Sequence, residues 1–398
     1  MEKRLTGQLD VLKKNAVDFL PLDEIASKFS QSLKTKTPLR LKIGFDPTAA
    51  DIHLGHTVLL RKLRKLQDLG HMVFLIIGDF TAKIGDPSGK TALRPMLSDK
   101  EIQKNAGTYT SQAFKILDKK RTKVIYNSVW YKKMTLTDFL PLLKSYTVAR
   151  MLERDDFSKR FSENKPLALL ELIYPLIQGY DSVMCDADIE FGGTDQKFNL
   201  LVGRHLQEVF NKPRQGIVTM PILVGLDGEN KMSKSLNNYI GVTESSGNMF
   251  GKIMSISDES MKEYYKLLTD ISPQDYKELH PKAAKINLAK EIVSFYFSKE
   301  TAQKEHDNFE SVFSKKQVPE KMVSIAVFEN EINLIDIFSK NKIVTTNNEA
   351  RRLIQQGSVA ILNADGSVLE IVKDQILRLK ERETILKIGK KRFIKIVR

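Results

Sequence analysis

Two histidines three residues apart and one short lysine–serine run are the strongest chemical signals in the chain. His53-Leu54-Gly55-His56 stands where an apolar run passes into a helical pattern. Residues at i and i+3 share one face of a helix, so both rings face the same way from its first turn. A helix N-terminus there offers unpaired N–H groups and the positive end of a dipole, which suits phosphate. Both rings can donate hydrogen bonds to phosphoryl oxygens, and Gly55 lets a flat base approach the backbone. Downstream, Lys231-Met232-Ser233-Lys234-Ser235 places two lysines in a polar loop. Such a pair can clamp a triphosphate and neutralise charge growing on a leaving pyrophosphate. Each motif alone also has a plain structural reading, as a histidine-capped surface helix or a solvated charge run. The segment Gly85 to Thr91 imitates a phosphate-binding P-loop, but Ile84 stands where that loop needs its first glycine, which excludes it.

A third signal concerns specificity. Tyr174, Gln178 and Asp181 are spaced i, i+4, i+7, so a helix puts them on one face between apolar Leu172, Ile173, Leu176 and Ile177. An exposed polar stripe accounts for the spacing; so does a pocket wall. A buried carboxylate such as Asp181 can accept a phenol hydrogen bond and would reject the analogue lacking it, being left unpaired.

The elements that must position these groups follow from the apolar pattern. Leu39 to Ile43 reads as a strand closed by the turn Asp46-Pro47-Thr48, then a helix runs from about Leu54 to Leu69, and Met72 to Ile77 reads as a strand covered on both faces. Strand, helix, strand predicts a βαβ unit and an α/β fold with a Rossmann-type parallel sheet, whose ligands bind at the carboxyl ends of the strands. Further elements are a strand at Val124–Tyr126, a helix from about Asp195 to Phe210 and a strand at Ile217–Met220. Residues 1–38 read as leading helices, about 243 to 315 as helical, and Ser314 to Lys321 as a linker. The tail reads as two short helices (333–340 and 346–356) and four β-runs, at Val359–Leu362, Val368–Val372, Ile385–Ile388 and Phe393–Val397.

Composition narrows the setting. The 398 residues carry a net charge of +14, and residues 331–398 alone contribute +6, so a polyanion partner fits. Cys185 is the single cysteine, which rules out an intrachain disulfide and a cysteine-bound zinc. With no signal-like N-terminus and no apolar run long enough to span a bilayer, a cytoplasmic chain with no membrane partner and no structural metal is expected.

The histidine and lysine–serine motifs, in this order, resemble the paired HIGH and KMSKS signatures of class I aminoacyl-tRNA synthetases. Gly44-Phe45-Asp46-Pro47-Thr48, Gly85-Asp86-Pro87-Ser88-Gly89, the Tyr174/Gln178/Asp181 helix and Gly192-Gly193-Thr194-Asp195-Gln196 narrow the resemblance to the tyrosyl branch. It implies that L-tyrosine is activated with ATP, supplied with Mg2+, and then passed to the terminal ribose of tRNA(Tyr). By similarity, Asp86, Tyr174 and Gln178 hold the substrate ammonium, Asp181 the phenol, and Gln196 lies near the tyrosine carboxyl. Thr48, His53 and His56 contact phosphates, and Gly193, Asp195 and Asp46 line the nucleotide and ribose site. Lys90 and Arg94 belong to a loop that closes on pyrophosphate beside Lys231, Ser233 and Lys234. Many members carry a tyrosine where this chain has Lys42, so the phenol either has one partner fewer or uses another, Lys42 itself or Asp79.

The segment Asn347 to Val359 resembles the S4 RNA-binding module, in which Arg351 and Arg352 with Lys390, Lys391 and Arg392 would face RNA. The implied organisation is a catalytic domain at 1–242 with a dimer-forming insertion near 115–165, a helical anticodon-side domain at 243–320 and an S4-like domain at 331–398. A homodimer is expected. Rival readings are a tryptophanyl enzyme, a non-catalytic RNA-binding protein on a synthetase scaffold, and a free-standing nucleotidylyltransferase.

Overall fold

The computed structural model describes residues 1–48, 51–87, 98–313, 322–344, 346–363, 366–389 and 392–398. The chain divides into two compact units, Met1–Phe297 and Ser298–Arg398.

The first unit is built on a six-stranded sheet. Its strands are β1 (Asp18–Leu20), β2 (Arg40–Phe45), β3 (Met72–Ile77), β4 (Thr122–Tyr126), β5 (Ile189–Gly193) and β6 (Gly216–Met220), in the order β1-β6-β5-β2-β3-β4. All pairings are parallel except β1 with β6. The expected βαβ unit is present as β2, the helix Leu54–Asp68 and β3. That helix buries Leu60, Leu63 and Leu66, and Gly70 at φ +108° reverses the chain into β3. The glycine conformation is one that a side chain would strain.

Two strands of this unit escaped the sequence pattern, as did β-strands at Val323–Ala326, Glu331–Asn333 and Ile376–Arg378 in the second unit. β1 lies within the stretch expected to be helical, and β5 is a central strand. In β5, Ile189 and Phe191 are buried as a strand requires, but Glu190 is buried too, and two glycines end the run. A charged residue and a glycine pair read as loop in one dimension. The helices Leu169–Met184 and Lys197–Val209 cross closely beside β5, because Gly179 and Gly203 meet at the crossing. A Cβ on Gly179 would lie 3.0 Å from the backbone of Gly203.

Within the same unit the helices Ser246–Met254, Asp258–Leu268 and Pro281–Tyr296 follow the lysine–serine motif. The second unit opens with the helix Lys299–Phe313 and holds a five-stranded sheet. With β7 (Val323–Ala326), β8 (Glu331–Asn333), β9 (Val359–Leu362), β10 (Val368–Ile371), β11 (Ile376–Arg378), β12 (Glu383–Ile388) and β13 (Arg392–Val397), the order is β10-β9-β12-β13-β7, while β11 pairs with β8. The four expected tail strands are β9, β10, β12 and β13; the expected helices are Leu334–Lys340 and Asn347–Gln355. The expected linker at 314–321 lies outside the described residues.

Candidate functional site

A cavity of about 460 Å³ opens at the carboxyl ends of β2 and β5. Sheet topology brings the two sequence motifs together there. The residues flanking the first helix are bonded by their backbone to the segment after the lysine–serine run. Leu54 N–H donates to Ile240 O at 2.9 Å, Val242 N–H to Ile52 O at 3.0 Å, and His53 bridges Gly241. A chain separation of nearly two hundred residues thereby closes to one hydrogen bond.

At one end, His53 and His56 lie with ring centroids 3.8 Å apart and planes inclined by 37°, and both line the cavity. Burial pushes both below the usual histidine range, His56 to about 4, with Lys234 adding to the effect. Both rings are therefore neutral at pH 7. The space over Gly55 is taken by the His53 ring; a Cβ there would meet Nδ1 at 3.0 Å and Met232 Cβ at 3.6 Å. Thr48, Gly193 and Asp195 line the same end.

The lysine–serine loop is fixed by a residue the sequence reading passed over. Asn238 accepts the Ser233 N–H at 2.8 Å and donates to Asp227 at 2.8 Å and to Lys231 O at 3.1 Å. Lys231 pairs with Asp195 at 3.2 Å, and Lys234 with Asp51 at 2.9 Å. Lys231 and Ser233 line the cavity. Lys90 and Arg94 lie outside the described residues.

The opposite end is built on the helix Leu169–Met184. Tyr174, Gln178 and Asp181 all line the cavity, so the i, i+4, i+7 face is a pocket wall. The Tyr174 hydroxyl donates to Asp46 at 2.8 Å, and Thr81 donates to the other oxygen of Asp46 at 2.6 Å. Burial, with Asp86 and Asp181 nearby, raises Asp46 to about 7. Asp46 thus sits among the carboxylates around Tyr174. Gln196 donates to Asp86 at 2.8 Å. Asn199, fully buried, donates to Gln178 Oε1 and to Gln196 Oε1, each at 3.0 Å, and accepts from Arg154. One amide therefore sets the orientation of two others.

Asp181 is surrounded by polar groups from the segment that follows β4. Trp130 Nε1 donates at 3.0 Å and Asn127 Nδ2 at 3.2 Å, with the Tyr131 hydroxyl at 3.2 Å. Tyr131 also donates to Ile177 O at 2.6 Å, which takes its single proton. A carboxylate has about four acceptor positions, so the two donors Trp130 and Asn127 leave acceptor capacity on Asp181, which lines the cavity. Burial raises Asp181 to about 6 against the opposing effect of Lys42 and these donors.

Lys42 and Asp79, the two alternatives for a phenol partner, are both engaged elsewhere. Asp79 caps the turn Ser128–Tyr131, accepting the Ser128 N–H at 2.9 Å and its hydroxyl at 2.6 Å. Lys42 is fully buried, and its ammonium meets Glu190 at 2.7 Å, Ser182 Oγ at 2.6 Å and Gln178 O at 3.0 Å. Its three protons are then used.

In the second unit Arg351 and Arg352 are exposed on the helix Asn347–Gln355. Arg392 is tied to Glu349 at 2.7 Å. Lys390 and Lys391 lie outside the described residues. No helix among the described residues is long and apolar enough to cross a membrane.

The comparisons with known proteins run the length of the chain. Residues 34–314 match the family model of class I tRNA synthetases of the tryptophan and tyrosine type. Residues 311–396 match a C-terminal domain model of tyrosine–tRNA ligases. A tyrosine–tRNA ligase of Geobacter metallireducens is 48% identical over 401 residues, covering 98% of both chains. One of Thermotoga maritima is 46% identical over 398 residues, covering 98% of this chain and 97% of its own. Among solved structures, an Archaeoglobus fulgidus tyrosyl-tRNA synthetase complexed with L-tyrosine aligns with a TM-score of 0.60 at 24% identity, covering 76% of this chain and 99% of its own, and shows likeness of fold.

Proposed function

The chain belongs to the tyrosine–tRNA ligases of the class I synthetase family, and from that premise we propose how its cavity divides the work. It is an enzyme that joins tyrosine to tRNA(Tyr) at the expense of ATP. The observation that carries the site assignment is the convergence of HLGH, the lysine–serine loop and the Tyr174/Gln178/Asp181 face on one cavity.

Asp86, Tyr174 and Gln178 hold the tyrosine ammonium, and Asp46 adds a carboxylate beside them while reaching towards the ribose. Asp181 accepts the phenol hydrogen bond. Gln196 lies beside the tyrosine carboxylate. Thr48, His53 and His56 meet the phosphates, the neutral histidines as hydrogen-bond donors. Gly193 and Asp195 line the ribose. Mg2+ enters on the triphosphate as part of the substrate, since that ion is usually held by phosphates and a few carboxylates. One tyrosine carboxylate oxygen attacks the α-phosphorus; the bond from that phosphorus to the bridging oxygen of the β-phosphate breaks, and pyrophosphate leaves with the electron pair. Lys231 and Lys234, with Lys90 and Arg94, offset its charge. The terminal ribose hydroxyl of tRNA then attacks the acyl carbon; the bond from that carbon to the phosphate oxygen of the adenylate breaks, AMP leaves with the electron pair, and the hydroxyl proton passes to the departing phosphate. Positioning and fixed charge carry both steps, with no covalent enzyme intermediate.

Residues 1–242 act as the catalytic domain, 243–320 as an anticodon-side domain and 331–398 as an S4-like module that meets RNA through Arg351, Arg352, Lys390, Lys391 and Arg392. The segment near 115–165 and its surroundings expose Leu136, Val148, Phe161 and Leu169, each more than 60% accessible, which supports a homodimer through that face. A buried free Cys185 fits a cytoplasmic setting. ATP–pyrophosphate exchange with tyrosine, tryptophan and phenylalanine tests the assignment. Exchange driven by tyrosine alone is expected; exchange driven by tryptophan, or tRNA binding without exchange, overturns it.

A further inference from the structure

At position 42 the central sheet buries a cation. Lys42 on β2 and Glu190 on β5 are register partners across adjacent parallel strands, so their side chains leave the same face of the sheet at the same height. Their charges meet at 2.7 Å with both side chains almost wholly buried. Ser182 closes the group, its hydroxyl standing 2.6 Å from Lys42 Nζ and donating to Glu190 Oε2 at 2.9 Å, an oxygen that Gln215 also reaches. The helix Lys197–Val209 can lie over this cluster because position 203 is glycine; a Cβ there would stand 2.9 Å from Gln215 and 3.1 Å from Glu190 and Ser182. Burying two charges is costly even when they pair, so such a pair needs a reason beyond stability.

The reason lies in what Lys42 holds. Its other contacts, Gln178 O and Ser182 Oγ, belong to the helical turn that carries Asp181, one residue before Ser182. Lys42, Glu190 and Asp181 all line the cavity floor. We propose that Lys42 is a specificity-determining positioning residue for the tyrosine hydroxyl: it never touches the phenol, but fixes the Asp181 turn and supplies the positive charge that keeps Asp181 an acceptor. This rests on the reading of Asp181 as the phenol partner. Asp181 is faced by Lys42 from β2, by Asp46 from the end of β2, and by Tyr131, Trp130 and Asn127 from the segment after β4, while Tyr174 shares its own helix. Among these groups Lys42 is the one cation among the described residues, and it opposes the upward push of burial on Asp181. Glu190 anchors that cation and keeps it from the substrate.

The test is exchange kinetics on Lys42→Met/Glu190→Gln, a paired change that removes the cation from Asp181 without leaving Glu190 as an unpaired buried charge. The readout is the ratio of kcat/KM for tyrosine to that for phenylalanine between pH 5.5 and 9; the ammonium and Asp46 are common to both substrates and cancel. In the native enzyme the ratio is expected to fall as pH drops towards about 6. In the variant we expect KM for tyrosine to rise about tenfold with KM for ATP unchanged, and the fall in the ratio to move up by about one pH unit. In an Asp181→Asn background the same pair should alter the ratio by less than about twofold, since coupled sites are not additive. A native ratio and native pH profile in the paired variant overturns the proposal, as does an equal loss in both backgrounds. Asp181→Asn that keeps native selectivity overturns the acceptor reading itself, separately from Lys42.

Discussion

The ring of His56 accepts the backbone N–H of His53 through Nδ1 at 3.2 Å. That contact assigns the imidazole proton to Nε2, because a neutral ring with one accepting nitrogen donates from the other. The first motif therefore presents neutral donors, and the enzyme's pH dependence should divide between its substrates. His56 is held at about 4 and His53 is also lowered, so neither histidine should add a loss to the ATP kinetics at saturating tyrosine between pH 8 and about 5.5. Asp46, at about 7, behaves oppositely. Its carboxylate form favours the ammonium, so kcat/KM for tyrosine at saturating ATP should fall as pH drops through about 7. A histidine-like loss in the ATP profile near pH 6.5 would defeat this assignment.

Asn199 orients two glutamines at once, and its removal should act on tyrosine rather than ATP. Asn199→Ala leaves two amide oxygens without their donor inside the protein, a cost of about 1–3 kcal/mol for each unsatisfied group. The expected result is a KM for tyrosine raised at least tenfold with KM for ATP within twofold. Equal effects on both substrates would point to general loosening instead.

Asn238 ties the lysine–serine loop to Asp227 and to the Lys231 carbonyl. Asn238→Ala should leave tyrosine binding intact, measured by equilibrium dialysis, while lowering the rate of adenylate formation. Loss of a catalytic donor typically costs a hundredfold or more, and misplacing Lys231 and Lys234 should approach that figure. An unchanged single-turnover rate would show that the loop does not depend on this anchor.

Gly179→Ala places a methyl 3.0 Å from the Gly203 backbone, which cannot yield as a flexible side chain would. Overpacking of this kind costs about 1–3 kcal/mol. A lower Tm, with exchange activity retained at low temperature, is expected.

Arg351 and Arg352 are exposed and should act on tRNA alone. Replacing both with alanine should leave exchange untouched, weaken tRNA binding and reduce the salt slope by about 1.4–1.8 if each meets one phosphate. Binding measured at several salt concentrations reads this directly.

The sequence by itself determined the chemistry and the frame that displays it. HLGH, the lysine–serine run and the Tyr174/Gln178/Asp181 spacing are local patterns, and so is the apolar alternation behind β2, the Leu54–Asp68 helix and β3. Local spacing fixes which side chains share a face, and that can be read in one dimension. Tertiary structure decided what stands behind those side chains. Glu190 belonged to no element read from the sequence, and its partner Lys42 lies far away in the chain; the parallel register of β2 and β5 is what makes it a buried strand position. Asn127 and Trp130 give no sign that they serve Asp181, and Asn199 none that it governs Gln178 and Gln196. Lys42 was visible as a departure from the pattern the family resemblance implies, but its role was not, because an ammonium's partners are set by the few ångströms around it. Long-range pairing leaves no period in the chain, so the residues that hold the site in place emerged only when the sheet and its helices were assembled.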